Sequence, residues 1–182
     1  MTKIDDSIPF LPVNIAVMTV SDTRTEGDDK SGQILAERIA EAGHTVAART
    51  IVPDEIDAIA DQLKTWIADP SVDAVISTGG TGVTGRDVTP EAFASVYEKE
   101  IAGFGELFRM ISFEKIRTST IQSRATAGVA GGTYLFALPG SPGACKDGWD
   151  EILRWQLDSR YRPCNFVELM PRLQEHLKER PA

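Results

Sequence analysis

Cysteine and histidine are scarce in this chain, two of each among 182 residues. Cys145 and Cys164 stand far apart and form no CxxC pair. The expectation is therefore a reduced, cytoplasmic protein with structural cysteines, not a disulfide-stapled scaffold. His44 and His176 have no metal-ligating or nucleophilic neighbour in the sequence, and neither is given a role. Positive charge is also short. Lys and Arg number 19 against 27 Asp and Glu, for a net charge of −8 and a pI of about 4.8. A general nucleic-acid binder needs a basic face, so nucleic acid is not an expected partner. Nor is a membrane, because no apolar run approaches the ~20 residues of a spanning helix. Residues 1–12 are polar and lack a signal-peptide pattern. They read as an N-terminal arm that a partner subunit could order. No internal repeat or low-complexity segment interrupts the chain.

What is present is ordinary for a globular protein, with 42% hydrophobic and 25% charged residues. Residues 13–182 read as one α/β domain, long enough to bury a real core. Residues 14–20 (NIAVMTV) form a continuous apolar strand. Ser31 can cap a helix over 32–42, where Ile34, Leu35, Ile39 and Ala42 share a face. A second strand covers 45–52. Pro53-Asp54-Glu55 then turns into a helix in which Ile56, Ile59, Ala60, Leu63 and Ile67 keep helical spacing. A third strand, 74–76, follows Asp69-Pro70. This βαβαβ order predicts a mostly parallel sheet with helices on both faces.

Downstream, Thr89 and Pro90 open a helix. Residues 103–116 read as a strongly apolar helix, buried on more than one face or lying at an interface. Residues 124–130 and 133–138 (TYLFAL), joined by Gly131-Gly132, read as a hairpin added to the sheet. A helix from 142 to about 157, capped by Ser141, precedes a closing helix over 167–178. Trp66, Trp149 and Trp155 fall on packing faces. The expected fold is a three-layer α/β/α sandwich with a mostly parallel central sheet and a hairpin-added antiparallel strand.

The chemistry gathers around residues 73–90, DAVISTGGTGVTGRDVTP. A short buried strand breaks into Gly79, Gly80, Gly82 and Gly85, which free the backbone for conformations a Cβ forbids. Three readings compete. Gly80 to Gly85 matches the dinucleotide fingerprint, but it follows the third strand, and Pro90 starts the next helix well past the last glycine. A dinucleotide unit opens its helix at the glycines. A tight turn without a ligand is the plainest reading. The third is an anion nest of converging amides, at the strand edge where open α/β sheets bind ligands. Asp87 lies beyond the glycines and Asp54 beyond the second strand, so a parallel sheet brings both to this edge. Carboxylates beside a phosphate call for a bridging cation, and Mg2+ does this with one or two carboxylates plus phosphate oxygens. Asp54 has an ordinary alternative as a helix cap. Ser21, Asp22 and Thr23 end the first strand here, and Ser141 ends the TYLFAL strand. Their hydroxyls either hold phosphate or sugar oxygens or cap the next element. Arg86 and Arg124 are candidate phosphate partners.

Taken together, these motifs resemble the MoaB/Mog family of molybdenum cofactor biosynthesis proteins. The likeness rests on TVSDTR (19–24), DDKSG (28–32), VPDE (52–55), STGGTGVTGRDVTPEA (77–92), FGELFRMISFEKI (104–116), QSRATAG (122–128), LPGSPGACK (138–146) and RPCNF (162–166). The FGELFRM and RPCNF blocks look most like the MoaB branch. The resemblance implies a MogA-like domain that assembles as a homo-oligomer, a trimer or a dimer of trimers. It implies binding of molybdopterin, a pterin with a dithiolene and a terminal phosphate, and its Mg2+- and ATP-dependent adenylylation with release of pyrophosphate. A non-catalytic molybdopterin-binding or carrier protein is the alternative within the same family. The family's two essential acidic positions fall on Asp54 and Asp87, as catalytic residues and Mg2+ ligands. Its nucleotide and phosphate loops fall on Gly79, Gly80, Thr81 and Gly82 and on Pro139, Gly140, Ser141 and Gly143. Its pterin-phosphate serine falls on Ser123. Ser21, Asp22 and Ser31 complete the expected substrate-binding set. Some MoaB-type proteins lack one or both acidic positions; this chain keeps both.

Overall fold

The computed structural model describes residues 3–177. The chain runs β1 (Lys3–Ile4), β2 (Asn14–Val20), α1 (Lys30–Glu41), β3 (Thr45–Val52), α2 (Ile56–Ile67), β4 (Ala74–Thr78), α3 (Thr89–Ala94), β5 (Lys99–Glu100), α4 (Ala102–Ile116), β6 (Thr126–Ala130), β7 (Thr133–Leu138), α5 (Pro142–Gly148) and β8 (Tyr161–Arg162). A six-stranded sheet has the order β3-β2-β4-β7-β6-β5. Strands β3, β2, β4 and β7 are parallel. The hairpin adds β6 antiparallel to β7, and the short β5 pairs antiparallel with β6 at the edge.

Alternate side chains of the central strands feed two cores. Ile15, Val17, Ile76, Tyr134 and Phe136 pack with Leu35, Ile39, Phe104 and Phe108 on one face. Ala16, Met18, Val75, Leu135 and Ala137 pack with Ile59, Leu63, Trp66 and Phe93 on the other. Strands buried on both faces need apolar residues at every position, which is why these read as unbroken apolar runs. Each fully buried Leu or Ile contributes about 1.5–3 kcal/mol of transfer free energy. The three-layer α/β/α sandwich is thus present, and it sets the carboxyl ends of β2, β3, β4 and β7 along one edge.

Several local expectations need correction. Asp29, not Ser31, caps α1, with its Oδ1 accepting from the Gly32 amide at 2.9 Å. Asp54 caps nothing: α2 starts after Glu55, and no side chain bonds its first amides. Thr89 lies in the first turn of α3, and its hydroxyl donates to the Gly79 carbonyl at 2.9 Å. Helix α4 buries Phe104 and Phe108 but leaves Leu107, Met110, Phe113 and Ile116 exposed. A 3-10 turn, Arg117–Gln122, continues it. The long helix after Ser141 includes a π turn, Trp149–Leu153. In place of a closing helix there are two 3-10 turns, Val167–Arg172 and Glu175–Leu177. Pro171 sits in the first of them, and it has no amide for an α-helical bond. Lys178 and the rest of the expected domain end lie outside the described residues.

Met1 and Thr2 of the expected arm also lie outside them. The remainder of the arm is held by its own chain. Strand β1 pairs antiparallel with β8. The Leu11 amide donates to Ser159 Oγ at 3.0 Å, and that hydroxyl donates to the Pro9 carbonyl at 2.9 Å. Phe10 packs on His44 with ring centroids 5.1 Å apart. Among the described residues, no helix is long and apolar enough to cross a membrane.

Candidate functional site

The glycine loop after β4 is fixed by its neighbours on both sides. Gly79 and Gly80 have φ of +106° and +63°, a region that L side chains avoid. A Cβ on Gly79 would meet the Val20 carbonyl oxygen at 2.2 Å, and one on Gly80 would meet Thr89 Oγ1 at 2.4 Å. The Gly79 amide donates to the Leu138 carbonyl at 3.1 Å, tying the loop to the end of β7. The loop after β7 closes on it, because a Cβ on Gly140 would lie 3.2 Å from Gly79 Cα. Ser31 fixes that second loop by donating its hydroxyl to the Gly140 carbonyl at 2.8 Å. Ser141 accepts from the Ala144 amide at 3.1 Å and caps α5.

Asp54 and Asp87 bracket the glycine loop. A Cβ on Gly80 would lie 3.0 Å from Asp54 Oδ1, and one on Gly82 would lie 2.7 Å from Asp87 Oδ2. The two carboxylates have opposite electrostatic settings. Burial pushes the Asp54 carboxyl above its ordinary range; the Asp22 amide and the Arg86 charge oppose this, and the Asp22 and Asp87 charges add to it. Burial acts the same way on Asp87, but the Thr84 hydroxyl and amide, the Gly82 amide and the Arg124 charge outweigh it and hold that carboxyl low. Asp22 and Asp54 interlock through their backbones. The Asp22 amide donates to Asp54 Oδ2 at 2.9 Å, and the Asp54 amide donates to Asp22 Oδ1 at 3.1 Å.

Two cavities meet at this edge, and Gly80 and Gly140 line both. The smaller, about 230 Å³, also has Ser21, Arg24, Asp29, Ser31, Asp54 and Gly79 in its wall. The larger, about 670 Å³, opens between the glycine loop, α4 and α5. Its wall includes Thr81, Gly82, Asp87, Ser123, Ser141 and Gly143. The two cavities thus share a boundary made by the glycine loop and the loop after β7.

A family described as "Probable molybdopterin binding domain" matches residues 16–159. Molybdenum cofactor biosynthesis protein B of Escherichia coli (strain K12) is 51% identical over 160 residues, covering 88% of this chain and 94% of that protein. Its counterpart in Bacillus subtilis (strain 168) is 47% identical over 142 residues, covering 78% and 84%. The chain belongs to the MoaB/Mog family. A crystal structure of molybdenum cofactor biosynthesis protein B superposes with a TM-score of 0.82 at 39% identity, covering 91% of this chain and 98% of that one.

In this MoaB-type chain the expected site residues divide between the two cavities, with one exception. The Asp22 carboxylate lines neither, because Arg86 grips it through Nε and a terminal nitrogen at 2.9 and 2.8 Å. Arg86 is therefore committed to a carboxylate. Arg124 is committed as well: it donates to the carbonyls of Gly82 and Asp87, both at 2.6 Å, and pairs with Glu91. Sequence reasoning missed Asp29, whose buried carboxylate also takes the Thr19 hydroxyl at 2.7 Å and Arg49 at 2.8 Å. It missed Lys115, Ser112 and Ser119 in the larger wall too. Ser112 and Lys115, three residues apart in a helix otherwise read as apolar, were the available signal; Ser119 lies past its end.

Proposed function

We propose that this chain adenylylates molybdopterin: ATP and molybdopterin give adenylyl-molybdopterin and pyrophosphate. One observation supports this above the others. Asp54 and Asp87 flank one glycine loop, each in the wall of a different cavity, and the cavities adjoin. A reaction between two phosphate-bearing substrates needs two sites with a common phosphate boundary. An oxygen of the molybdopterin phosphate bonds to the α-phosphorus of ATP, and the bond from that phosphorus to the β-phosphate oxygen breaks. Pyrophosphate leaves with the electron pair. The nucleophile is already anionic, so positioning and charge neutralisation provide the catalysis. Loop amides other than those of Gly79, Gly82 and Thr84, which are already given to Leu138 and Asp87, would serve the first need.

The residues present fit Mg2+ for the second. Asp54 is held above its ordinary range by burial with carboxylates nearby, a setting that a divalent cation relieves. Among the described residues, no three or more His, Cys, Asp or Glu are grouped to hold a metal ion. An ion here would use one or two carboxylates and complete its shell with phosphate oxygens and water. When bound, Mg2+ would neutralise the phosphate charges.

The test is purified protein with molybdopterin, ATP and Mg2+. Adenylylated product and pyrophosphate are expected, and Asp54→Asn and Asp87→Asn should each lower kcat/KM by roughly 10²-fold or more. No product from the wild type sinks the reading. The second reading, a molybdopterin carrier, is favoured by the larger cavity, which could hold a pterin without ATP. Calorimetry showing tight Mg·ATP binding that Asp54→Asn abolishes counts against it. We also infer a homo-oligomer, a trimer or a dimer of trimers. Support comes from the exposed Leu107, Met110, Phe113 and Ile116 of α4, an unusual concentration of apolar surface. Light scattering decides the assembly number.

A further inference from the structure

We propose that Lys115 recognises the terminal phosphate of molybdopterin in the larger cavity, and that Asp147 holds the lysine in place when no ligand is there. This assignment rests on the molybdopterin reading. Charge is the first reason. The chain is net −8, and the larger cavity has both Asp87 and Asp147 in its wall. A phosphate dianion entering there meets repulsion unless a cation faces it. Among the described lining residues, Lys115 is the single Lys or Arg.

Arg86 and Arg124, the two arginines expected to meet phosphate, are engaged. Arg86 forms a two-bond fork with Asp22. Arg124 uses its guanidinium on two backbone carbonyls and Glu91. Lys115 is different in kind. Its Nζ donates to Asp147 Oδ1 at 2.5 Å, from α4 across to α5. An ammonium has three donors, so this bond leaves capacity for phosphate oxygens. The lysine side chain is 51% exposed and Asp147 only 19%. The carboxylate is thus the fixed member and the lysine the movable one. Hydroxyls of Ser119 and Ser123 stand in the same wall, and they extend the set of donors available to a phosphate. A flexible point charge beside small hydroxyls is suited to a phosphate monoester whose distance from the pterin varies with pose.

The experiment compares molybdopterin with phosphatase-treated molybdopterin, by anaerobic calorimetry, on wild type, Lys115→Met and Asp147→Asn. Wild type should prefer the phosphorylated form. Lys115→Met should weaken that form roughly 10- to 100-fold, the loss of one charge-assisted hydrogen bond, and leave the dephosphorylated form nearly unchanged. Asp147→Asn should bind the phosphorylated form as tightly as wild type or more tightly, because it frees the lysine and removes a repelling charge. Lys115→Met that keeps the wild-type preference overturns the proposal. So does Asp147→Asn that weakens binding as much as Lys115→Met, because the pair would then serve only to join α4 to α5. Wild type that binds neither form overturns the functional reading, and this assignment with it.

Discussion

Replacing Arg124 by methionine removes the clamp that shapes the glycine loop while keeping most of the apolar stem. The guanidinium donates to the Gly82 and Asp87 carbonyls, both at 2.6 Å. The Arg124 amide also donates to the Thr81 carbonyl at 2.9 Å, a bond the substitution retains. A hydrogen bond from a charged donor contributes about 1.5–3 kcal/mol net, so two such bonds contribute ~3–6 kcal/mol before screening. The side chain is 34% exposed and its partner Glu91 is 48% exposed, so water takes over part of the lost interaction. A loss of ~2–4 kcal/mol is the expectation. For a chain of this size each kcal/mol moves Tm by ~2–4 °C, so the variant should melt ~5–15 °C lower. Scanning calorimetry measures that. The functional effect should exceed the thermal one, because a 1 Å displacement of Gly82 and Asp87 costs ~10²-fold in rate. Arg124→Lys should recover little, since a lysine cannot span both carbonyls in a planar fork. A methionine variant that melts within 1–2 °C of wild type (under ~1 kcal/mol on the same scale) and keeps its turnover refutes the clamp. A variant that melts lower but turns over normally refutes its role in shaping the site.

Three further outcomes are expected from the same geometry. Asp54→Asn should raise Tm at neutral pH: the folded carboxyl is shifted up, so the folded state binds more protons than the unfolded state and ionisation costs stability. That advantage should fade as pH falls toward the unfolded value of 3.8, and equal Tm differences at pH 7 and pH 4 would count against it. Gly79→Ala should cost roughly 3 kcal/mol or more in urea titration, from the positive φ and the Val20 carbonyl together; a cost under ~1 kcal/mol contradicts the described loop. His44 is buried, its Nδ1 accepts from the Val13 amide at 3.1 Å, and burial pushes its pKa below 6.5 despite the Asp158 charge. The unfolded state therefore takes up the proton first, and stability should fall as pH drops below 6.5. Hydrogen exchange at Leu11 and Val13 should accelerate over the same range, and His44→Asn should flatten that limb.

The sheet was legible because β2, β4 and β7 are apolar at consecutive positions, a pattern that only two-sided burial requires. The glycine loop was legible because glycine most readily accepts the φ values of Gly79 and Gly80. Other features depend on partners distant in the sequence. Asp29 and Ser31 are both good cap residues, and local preference does not choose between them. The choice is made by Thr19 and Arg49, which hold the Asp29 carboxylate, and by Gly140, which takes the Ser31 hydroxyl. The arm looks unanchored in the sequence because its anchor, Ser159, lies about 150 residues away. Lys115 acquires meaning only when α5 brings Asp147 opposite it. In the 167–178 segment, Pro171 was a local signal against a regular helix, and the apolar spacing concealed it.

The ion pairs at the site edge bear on how so acidic a chain would present the proposed phosphate site. Asp22 is paired with Arg86, Asp29 with Arg49, Glu91 with Arg124 and Asp147 with Lys115. Each of these carboxylates is neutralised nearby, so the net charge of −8 overstates the repulsion that an entering phosphate meets. Asp54 and Asp87 take part in none of the ion pairs among the described residues. Asp87 is compensated by the Thr84 hydroxyl, by amides and by the Arg124 charge; Asp54 accepts one amide from Asp22 and feels the Arg86 charge. Neither carboxylate beside the glycine loop therefore has a direct cationic partner; Arg124 and Arg86 act on them only through space, and the net effect leaves Asp54 the less stabilised of the two. That pattern is poor for stability and suited to a divalent cation arriving with a nucleotide. It also orders the two carboxylates by function. On the proposed reading, Asp87, held by the Thr84 hydroxyl and amides, would shape the loop, and Asp54 would gain the most from a bound cation.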